Sequence, residues 1–142
     1  VPELLGEHRY ALDPKGRISL PGKFRDAFDE GLFLALGHDG CLEAYPREGW
    51  EHRRAEVESF STTDPKGRAY RRVFMANAER ADLDGQGRVV IPQKLRQKAA
   101  LSKDVVVTGA GDHLELWSVD AYDRYMATFE AQYTSGTLVP DR

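Results

Sequence analysis

Of the 142 residues, only one is cysteine, two are methionine and two are tryptophan. A lone Cys41 cannot close a disulfide within the chain and suits a reducing compartment. Its position between Gly40 and Leu42, at a strand start, reads as a small core or edge residue rather than a nucleophile. No stretch approaches the roughly 20 apolar residues of a membrane span, and no signal-peptide pattern opens the chain, so no membrane association is expected. Nucleophile elbows, Walker loops, dinucleotide fingerprints and zinc-type cysteine pairs are all missing. The four histidines are His8, His38, His52 and His113. His38-Asp39 and Asp112-His113 fall in corresponding turns, which makes a paired metal site conceivable. Without a third local ligand, though, they read as surface turn residues, and neither a metal nor another cofactor is expected. No constellation supports general acid–base catalysis, so the chain does not read as an enzyme.

Charge is present but unevenly spread. A net charge of −3 and a pI near 5.8 argue against indiscriminate nucleic-acid binding. Between Arg9 and Arg25, however, the strong charges are Arg9, Asp13, Lys15, Arg17, Lys23 and Arg25, five positive and one negative. From Asp112 to Glu130 the balance is mostly acidic. A basic segment beside acidic helices is compatible with nucleic-acid contact on one face only.

The dominant feature is an internal duplication. Leu12-Asp13-Pro14-Lys15-Gly16-Arg17-Ile18 returns 71 residues later as Leu83-Asp84-Gly85-Gln86-Gly87-Arg88-Val89, and each copy runs on to a proline, Pro21 and Pro92. Arg9, Lys23 and Arg25 match Arg80, Lys94 and Arg96 at the same offset. After a one-residue slip, Leu42-Glu43-Ala44-Tyr45 matches Leu114-Glu115-Leu116-Trp117. An apolar residue, Asp-x-x-Gly-Arg and a further apolar run read as strand, tight turn, strand, with Gly16 and Gly87 supplying positive φ and Asp13 and Asp84 accepting from turn amides. Units near residues 7–50 and 79–122 are too small to bury separate cores. They are expected to interlock as one pseudo-twofold domain spanning 1–142, with a helical linker over 51–78 and a helix end and tail over 123–142.

Within each unit the pattern predicts a hairpin, a short helix and a second hairpin. The first has strands over 7–12 and 17–20, a short helix from Lys23 to Phe28, then strands over 32–36 and 41–45. The second has strands near 79–83, 88–91, 104–108 and 113–117, with its short helix over 95–101. Val105-Val106-Val107 is continuously apolar and reads as buried on both faces. Pro46 opens a helix to about Phe60, and Ser118 caps a last helix whose Tyr122, Tyr125, Met126, Phe129 and Tyr133 form an apolar stripe. The linker spells Asp64-Pro65-Lys66-Gly67-Arg68, the same five residues as the first turn, but Ser61-Thr62-Thr63 precede it and no strand follows. Asp64 there reads as an N-cap with Pro65 at the first helical position. The stretch from Thr134 onward lacks periodicity and reads as a frayed tail.

These residues carry a resemblance. Gly6-Glu7-His8 leading to the first turn, Leu20-Pro21-Gly22-Lys23-Phe24-Arg25, Gly40-Cys41-Leu42-Glu43-Ala44-Tyr45-Pro46, the second turn with Ile91-Pro92 and Leu95-Arg96, and Leu114-Glu115-Leu116-Trp117-Ser118 together resemble the MraZ family. That family comprises bacterial regulators built from two SpoVT/AbrB-type swapped-hairpin units. The resemblance implies an α+β fold, an intertwined double swapped-hairpin β-barrel with flanking helices. It further implies a cytoplasmic, nucleoid-associated DNA-binding protein, whose ring-shaped homo-oligomer presents hairpin loops to short direct repeats in double-stranded DNA. Those repeats would lie upstream of a division and cell-wall gene cluster.

The residues themselves allow two readings of the turns. In one, Arg17 and Arg88 read bases from a β-ribbon in the major groove, with Lys15 and Gln86 beside them for phosphate or hydrogen-bonding contact. In the other, each arginine pairs with its own turn aspartate, Arg17 with Asp13 and Arg88 with Asp84. The resemblance favours DNA binding. Arg9, Lys23, Arg25, Arg80, Lys94 and Arg96 are then secondary phosphate candidates. A swapped-hairpin antitoxin and a ring scaffold that leaves DNA alone are the alternative functions.

Overall fold

The computed structural model describes residues 3–142. Among these residues eight strands form, in chain order: β1 (Glu7–Ala11), β2 (Arg17–Ser19), β3 (Leu32–Leu36), β4 (Leu42–Tyr45), β5 (Glu79–Ala81), β6 (Arg88–Val90), β7 (Asp104–Gly109) and β8 (Leu114–Ser118). Four α-helices accompany them: α1 (Arg47–Glu58), α2 (Pro65–Asn77), α3 (Gln93–Lys98) and α4 (Val119–Ser135). The class is α+β. The first short helix, Gly22–Phe28, is 3-10 rather than α, and it buries Phe24 and Phe28 as their i, i+4 spacing implies. Two of the expected helix caps hold, while Pro46 is the N-cap of α1 rather than its first residue and α3 starts at Gln93, ahead of the expected Leu95. Asp64 accepts from the Lys66 amide at 3.0 Å ahead of Pro65, and Ser118 accepts from the Ala121 amide at 3.2 Å.

The pairing differs from a pair of local hairpins. Strands β1 and β2 flank the first turn yet do not pair with each other: β1 pairs with β7 and β2 with β6, both antiparallel and both in the other half of the chain. Likewise β5 pairs with β3, not with β6. The physical reason is length. A three-residue strand such as β2 gains little from one local ladder, whereas laid against the other half it buries Ile18 almost completely in the shared core. Only the second hairpins are local, β3 with β4 and β7 with β8.

The resulting six-stranded sheet has the order β1-β7-β8-β4-β3-β5, with β2 and β6 forming a separate two-stranded ribbon. Exchanging each strand for its counterpart in the other half reverses this order and reproduces it. The register agrees. Ile18 faces Val89 at the middle of the ribbon, and Glu43 faces Glu115 at the middle of the β4–β8 ladder. A pseudo-twofold axis therefore passes through both pairs. The sheet itself is open, with β1 and β5 at its edges.

Side-chain alternation divides the molecule into three layers. Leu34, Leu42, Ala44, Val105, Val107, Leu114 and Leu116 point to the main core, where Ile18, Leu20, Val89, Ile91 and Leu95 meet them from the ribbon and short helices. On the other face, Phe33, Ala35 and Tyr45 lie under α1 and α2 with Val57 and Phe74, while Val106 and Trp117 lie under α4 with Tyr122. Cys41 is buried in that last cluster, and burial pushes its thiol up to about 12. It is therefore a core residue and not a nucleophile. The apolar stripe of α4 is only partly used, since Tyr122 is buried while Tyr133 is 74% exposed.

Because Ile18 and Val89 are packed on the axis and almost fully buried, truncation there removes apolar contact from both halves at once. Ile18→Ala should lower unfolding free energy by about 2–5 kcal/mol in urea denaturation. Combined with Val89→Ala, the losses should be non-additive, with a coupling of about 0.5–3 kcal/mol. Losses that add to within about 0.5 kcal/mol would show that the ribbon does not hold the halves together.

Candidate nucleic-acid interface

The two Asp-x-x-Gly-Arg turns have the same internal bonding. In the first, the Asp13 amide donates to the Arg17 carbonyl at 3.0 Å and the Gly16 amide to the Asp13 carbonyl at 2.9 Å. In the second, the Asp84 amide donates to the Arg88 carbonyl at 2.8 Å and the Gly87 amide to the Asp84 carbonyl at 3.0 Å. Oδ1 of Asp13 accepts from the amides of Lys15 and Arg17, both at 2.9 Å. Oδ1 of Asp84 accepts from those of Gln86 and Arg88 at 2.8 and 3.0 Å. Gly16 and Gly87 sit at φ +76° and +73°, a conformation that costs a side-chain-bearing residue strain.

The same aspartates hold the arginines. Arg17 Nε donates to Asp13 Oδ2 at 2.5 Å, and Arg88 Nε to Asp84 Oδ2 at 2.9 Å. The pairing that the alternative reading foresaw is thus present in both turns. It engages only one edge of each guanidinium. Among the described residues no acceptor bonds to the Nη atoms of either arginine, so the outer edge of the fork stays free for a base or a phosphate. Lys15 and Gln86 are exposed at the tips.

Each turn also leans on the opposite half. The Ile91 amide donates to the Gly16 carbonyl at 2.8 Å, and the Leu20 amide to the Gly87 carbonyl at 3.0 Å. Arg96 packs so closely on the first turn that a Cβ at Gly16 would lie 2.7 Å from its Cζ, and Arg25 would collide with a Cβ at Gly87 in the same way. Arg25 donates through Nε to the Leu20 carbonyl at 3.2 Å. The structure therefore gathers Lys15, Arg17 and Arg96 at one turn and Arg88, Arg25 and Gln86 at the other.

The remaining cationic candidates lie elsewhere. Arg9 pairs with Asp123 of α4 at 2.8 Å, which anchors that helix to β1. Lys94 donates to the Ala76 carbonyl at 2.9 Å, at the C-terminal end of α2. Arg80 lies 3.5 Å from Asp82 and stands over the Phe33 ring, and Lys23 stands over the Phe24 ring. The third copy of the motif behaves as a helix start: Arg68 turns to the Thr62 carbonyl at 3.0 Å, not to Asp64.

The second turn also carries three acidic residues, Asp26, Asp29 and Asp82, that the pattern of basic residues does not mark. A shallow hollow beside Gly85 and Gly87 is lined by Arg25 together with Asp26, Asp29, Asp82 and Asp84. At the first turn the positions matching Asp26, Asp29 and Asp82 are Gln97, Ala100 and Ala11, all uncharged. The first turn is consequently the more positive of the two. The repeat offset alone carries this signal once applied to acidic as well as basic positions.

The carboxyls of Asp13 and Asp84 lie below their ordinary value of 3.8, chiefly because the Arg17 and Arg88 amides donate to the ionised form. A carboxyl lowered on folding adds stability above its unfolded value, and that stability is lost as pH falls through the lower folded value. Thermal melts between pH 5 and 2 should therefore lose less stability in Asp13→Asn/Asp84→Asn than in the unaltered protein. Parallel acid profiles would show that the carboxylates do not hold the turns.

Comparison with known proteins bears on this geometry. The family model described as "MraZ protein, putative antitoxin-like" matches the chain twice, over residues 4–73 and 74–137. Among similar proteins, one from Deinococcus radiodurans is 41% identical over 127 residues, 89% of each chain. One from Heliobacterium modesticaldum is 39% identical over 121 residues, 85% of each chain, and one from Corynebacterium urealyticum is 40% identical over 125 residues, 88% of this chain and 87% of that one. All three carry the name "Transcriptional regulator MraZ", which denotes a regulator and not an enzyme.

Proposed function

Because the chain belongs to the MraZ family, we propose that it is a sequence-specific DNA-binding transcriptional regulator that reads double-stranded DNA through its two Asp-x-x-Gly-Arg turns. The observation that carries this reading is the half-satisfied arginine. Asp13 and Asp84 fix the turn backbone and one edge of Arg17 and Arg88, so each guanidinium is oriented before it meets DNA. A pre-oriented fork loses little rotamer freedom on making a bidentate contact to guanine O6 and N7. Lys15 and Arg96 supply phosphate attraction beside Arg17, while Gln86 and Arg25 flank Arg88 among carboxylates. The first turn is therefore the stronger half of the interface.

Under this proposal residues 7–50 and 79–122 are two swapped-hairpin repeats of one barrel-like domain, joined through 51–78 and followed by 123–142. One turn offers too few contacts for tight binding, and several turns acting on one duplex gain affinity through avidity. A homo-oligomeric ring meeting short direct repeats supplies this, and the operator is the DNA upstream of the protein's own division and cell-wall gene cluster. The site of action is cytoplasmic and nucleoid-associated. The apolar side chains left in water support self-association: Leu5 is 58% exposed, Val73 56% and Val139 78%. Sedimentation at micromolar concentration should give a particle several times the 16.0 kDa chain, and a 16 kDa monomer would contradict assembly.

Arg17→Ala should weaken binding to the upstream DNA by about 1–3 kcal/mol per engaged turn without changing the melting temperature appreciably. Arg88→Ala should act in the same direction but less, given the acidic surroundings of its turn. Arg68→Ala is the control, with the same local spelling in a helix start, and should bind nearly normally. The measurement is fluorescence anisotropy across a salt series, since the phosphate contribution varies with salt. Loss on Arg68→Ala alone would move the interface to α2. No loss in folded Arg17→Ala and Arg88→Ala would make the turns structural and favour the scaffold alternative.

A further inference from the structure

The outer face of the sheet, between the regions covered by α1 and α4, carries a second cluster on the pseudo-twofold axis. Glu43 and Glu115 are direct partners in the β4–β8 ladder, so two carboxylates meet on one face where like charges repel. His113 stands beside them, its ring stacked on Tyr45 at a centroid distance of 4.7 Å. Its Nε2 lies 3.5 Å from Glu43 Oε2 and 3.8 Å from Glu115 Oε2. The Nε2 atom is buried and has no hydrogen-bond partner among the described residues.

Every other polar atom of the cluster is spoken for. Tyr45 donates its hydroxyl to Glu43 Oε1 at 2.9 Å, and Trp117 donates Nε1–H to Glu115 Oε1 at 2.9 Å. These two aromatics correspond in the repeat, so the carboxylates are held alike from both sides. His113 Nδ1 bonds Asp112 Oδ1 at 2.7 Å, which fixes the proton on Nδ1 and turns the Nε2 lone pair inward when the ring is neutral. What remains is Nε2 and the two Oε2 atoms, and one ligand atom from each of the three residues lies within 4.8 Å of the others. Ligand atoms around a tetrahedral ion with bonds of about 2.0–2.1 Å stand about 3.3–3.4 Å apart, so a small inward movement closes the set.

We infer that His113 Nε2, Glu43 Oε2 and Glu115 Oε2 form a binding site for one first-row divalent transition cation, of the zinc class, per chain. The ligand set is one borderline nitrogen and two hard oxygens, which suits zinc, cobalt or nickel better than magnesium, an ion that keeps its waters and prefers oxygen alone. The side chains of Glu43, Glu115 and His113 are 15%, 28% and 14% exposed, enough for the ion to enter and for water to complete its shell. The site breaks the internal symmetry, because the residue matching His113 is Cys41, whose thiol is turned to the His38 carbonyl. It lies on the sheet face opposite the ribbon that carries the turns, so it is separate from the proposed DNA interface.

The test uses the full chain, stripped with chelator and titrated with zinc by calorimetry, with cobalt absorbance as a spectroscopic probe of the ligand field. One zinc per chain should bind, cobalt should give the absorption of a low-coordinate nitrogen–oxygen site, and magnesium in excess should not displace it. His113→Gln and Glu115→Gln should abolish stoichiometric uptake, with circular dichroism in chelator confirming that each is folded. Asp112→Asn, which touches no ion, should weaken zinc binding about 10–100-fold because it releases the imidazole's orientation. DNA affinity of the stripped protein should be unchanged, which separates failure here from failure of the regulatory reading. No saturable one-to-one uptake would overturn the inference, as expected if a proton on His113 is all that bridges the carboxylates. Uptake that survives both His113→Gln and Glu115→Gln would overturn it equally.

Discussion

The structure depends on one constraint: the two halves cannot complete their ladders alone. The ribbon of β2 and β6 draws one strand from each repeat, and β1 and β5 find their partners only across the pseudo-twofold axis. Three-residue strands have little to gain from pairing locally, but laid across the six-stranded sheet they bury Ile18 and Val89 almost completely. The main core is therefore shared, and every element that positions a functional turn is braced by the opposite half. The carbonyls of Gly16 and Gly87, accepting from Ile91 and Leu20, are the points at which this bracing reaches the turns.

From that constraint the chemistry of the turns follows. A turn whose backbone is fixed at both ends can use one aspartate for two tasks, receiving amides on Oδ1 and the arginine on Oδ2. Pairing with the aspartate and availability to DNA are then compatible, because the pair occupies one edge of the guanidinium and leaves the other. Local spelling does not decide this behaviour. Asp64-Pro65-Lys66-Gly67-Arg68 begins with the same contact, the aspartate accepting from the lysine amide, but its glycine stays helical and its arginine goes to Thr62. Without a cross-half partner to hold a left-handed glycine, the same five residues start a helix.

Much of this could be read in the sequence, and what could not has a physical reason. The 71-residue offset located the turns and strands, and apolar alternation located the buried faces, because both are local regularities. The short helices shifted by one to three residues, and the first became 3-10, since propensity hardly separates helix types over so short a span. Strand partners were not legible locally: periodicity says which face of β1 turns inward but not that β7 pairs along its edge. The same limit applies to the sites. Arg25 and Arg96 were found by charge, whereas their packing against the opposite turns needed three dimensions. Likewise the repeat makes Asp112-His113 a turn pair equivalent to His38-Asp39, but the fold places His38 against Tyr70 and His113 against Glu43 and Glu115.

The central claim is that the turns, held across the axis, are where DNA is read. Nitrogen-15 NMR of the arginine side chains tests it most directly, because the Nε–H protons of Arg17 and Arg88 are hydrogen-bonded to aspartate and thereby slowed in exchange with water. On adding the upstream DNA, these two signals and the amides of Gly16 and Gly87 should shift, while the Arg68 side chain and α4 amides stay within the scatter of a control duplex. Shifts confined to α2 or α4, with the turn signals unmoved at saturating DNA, would contradict the account.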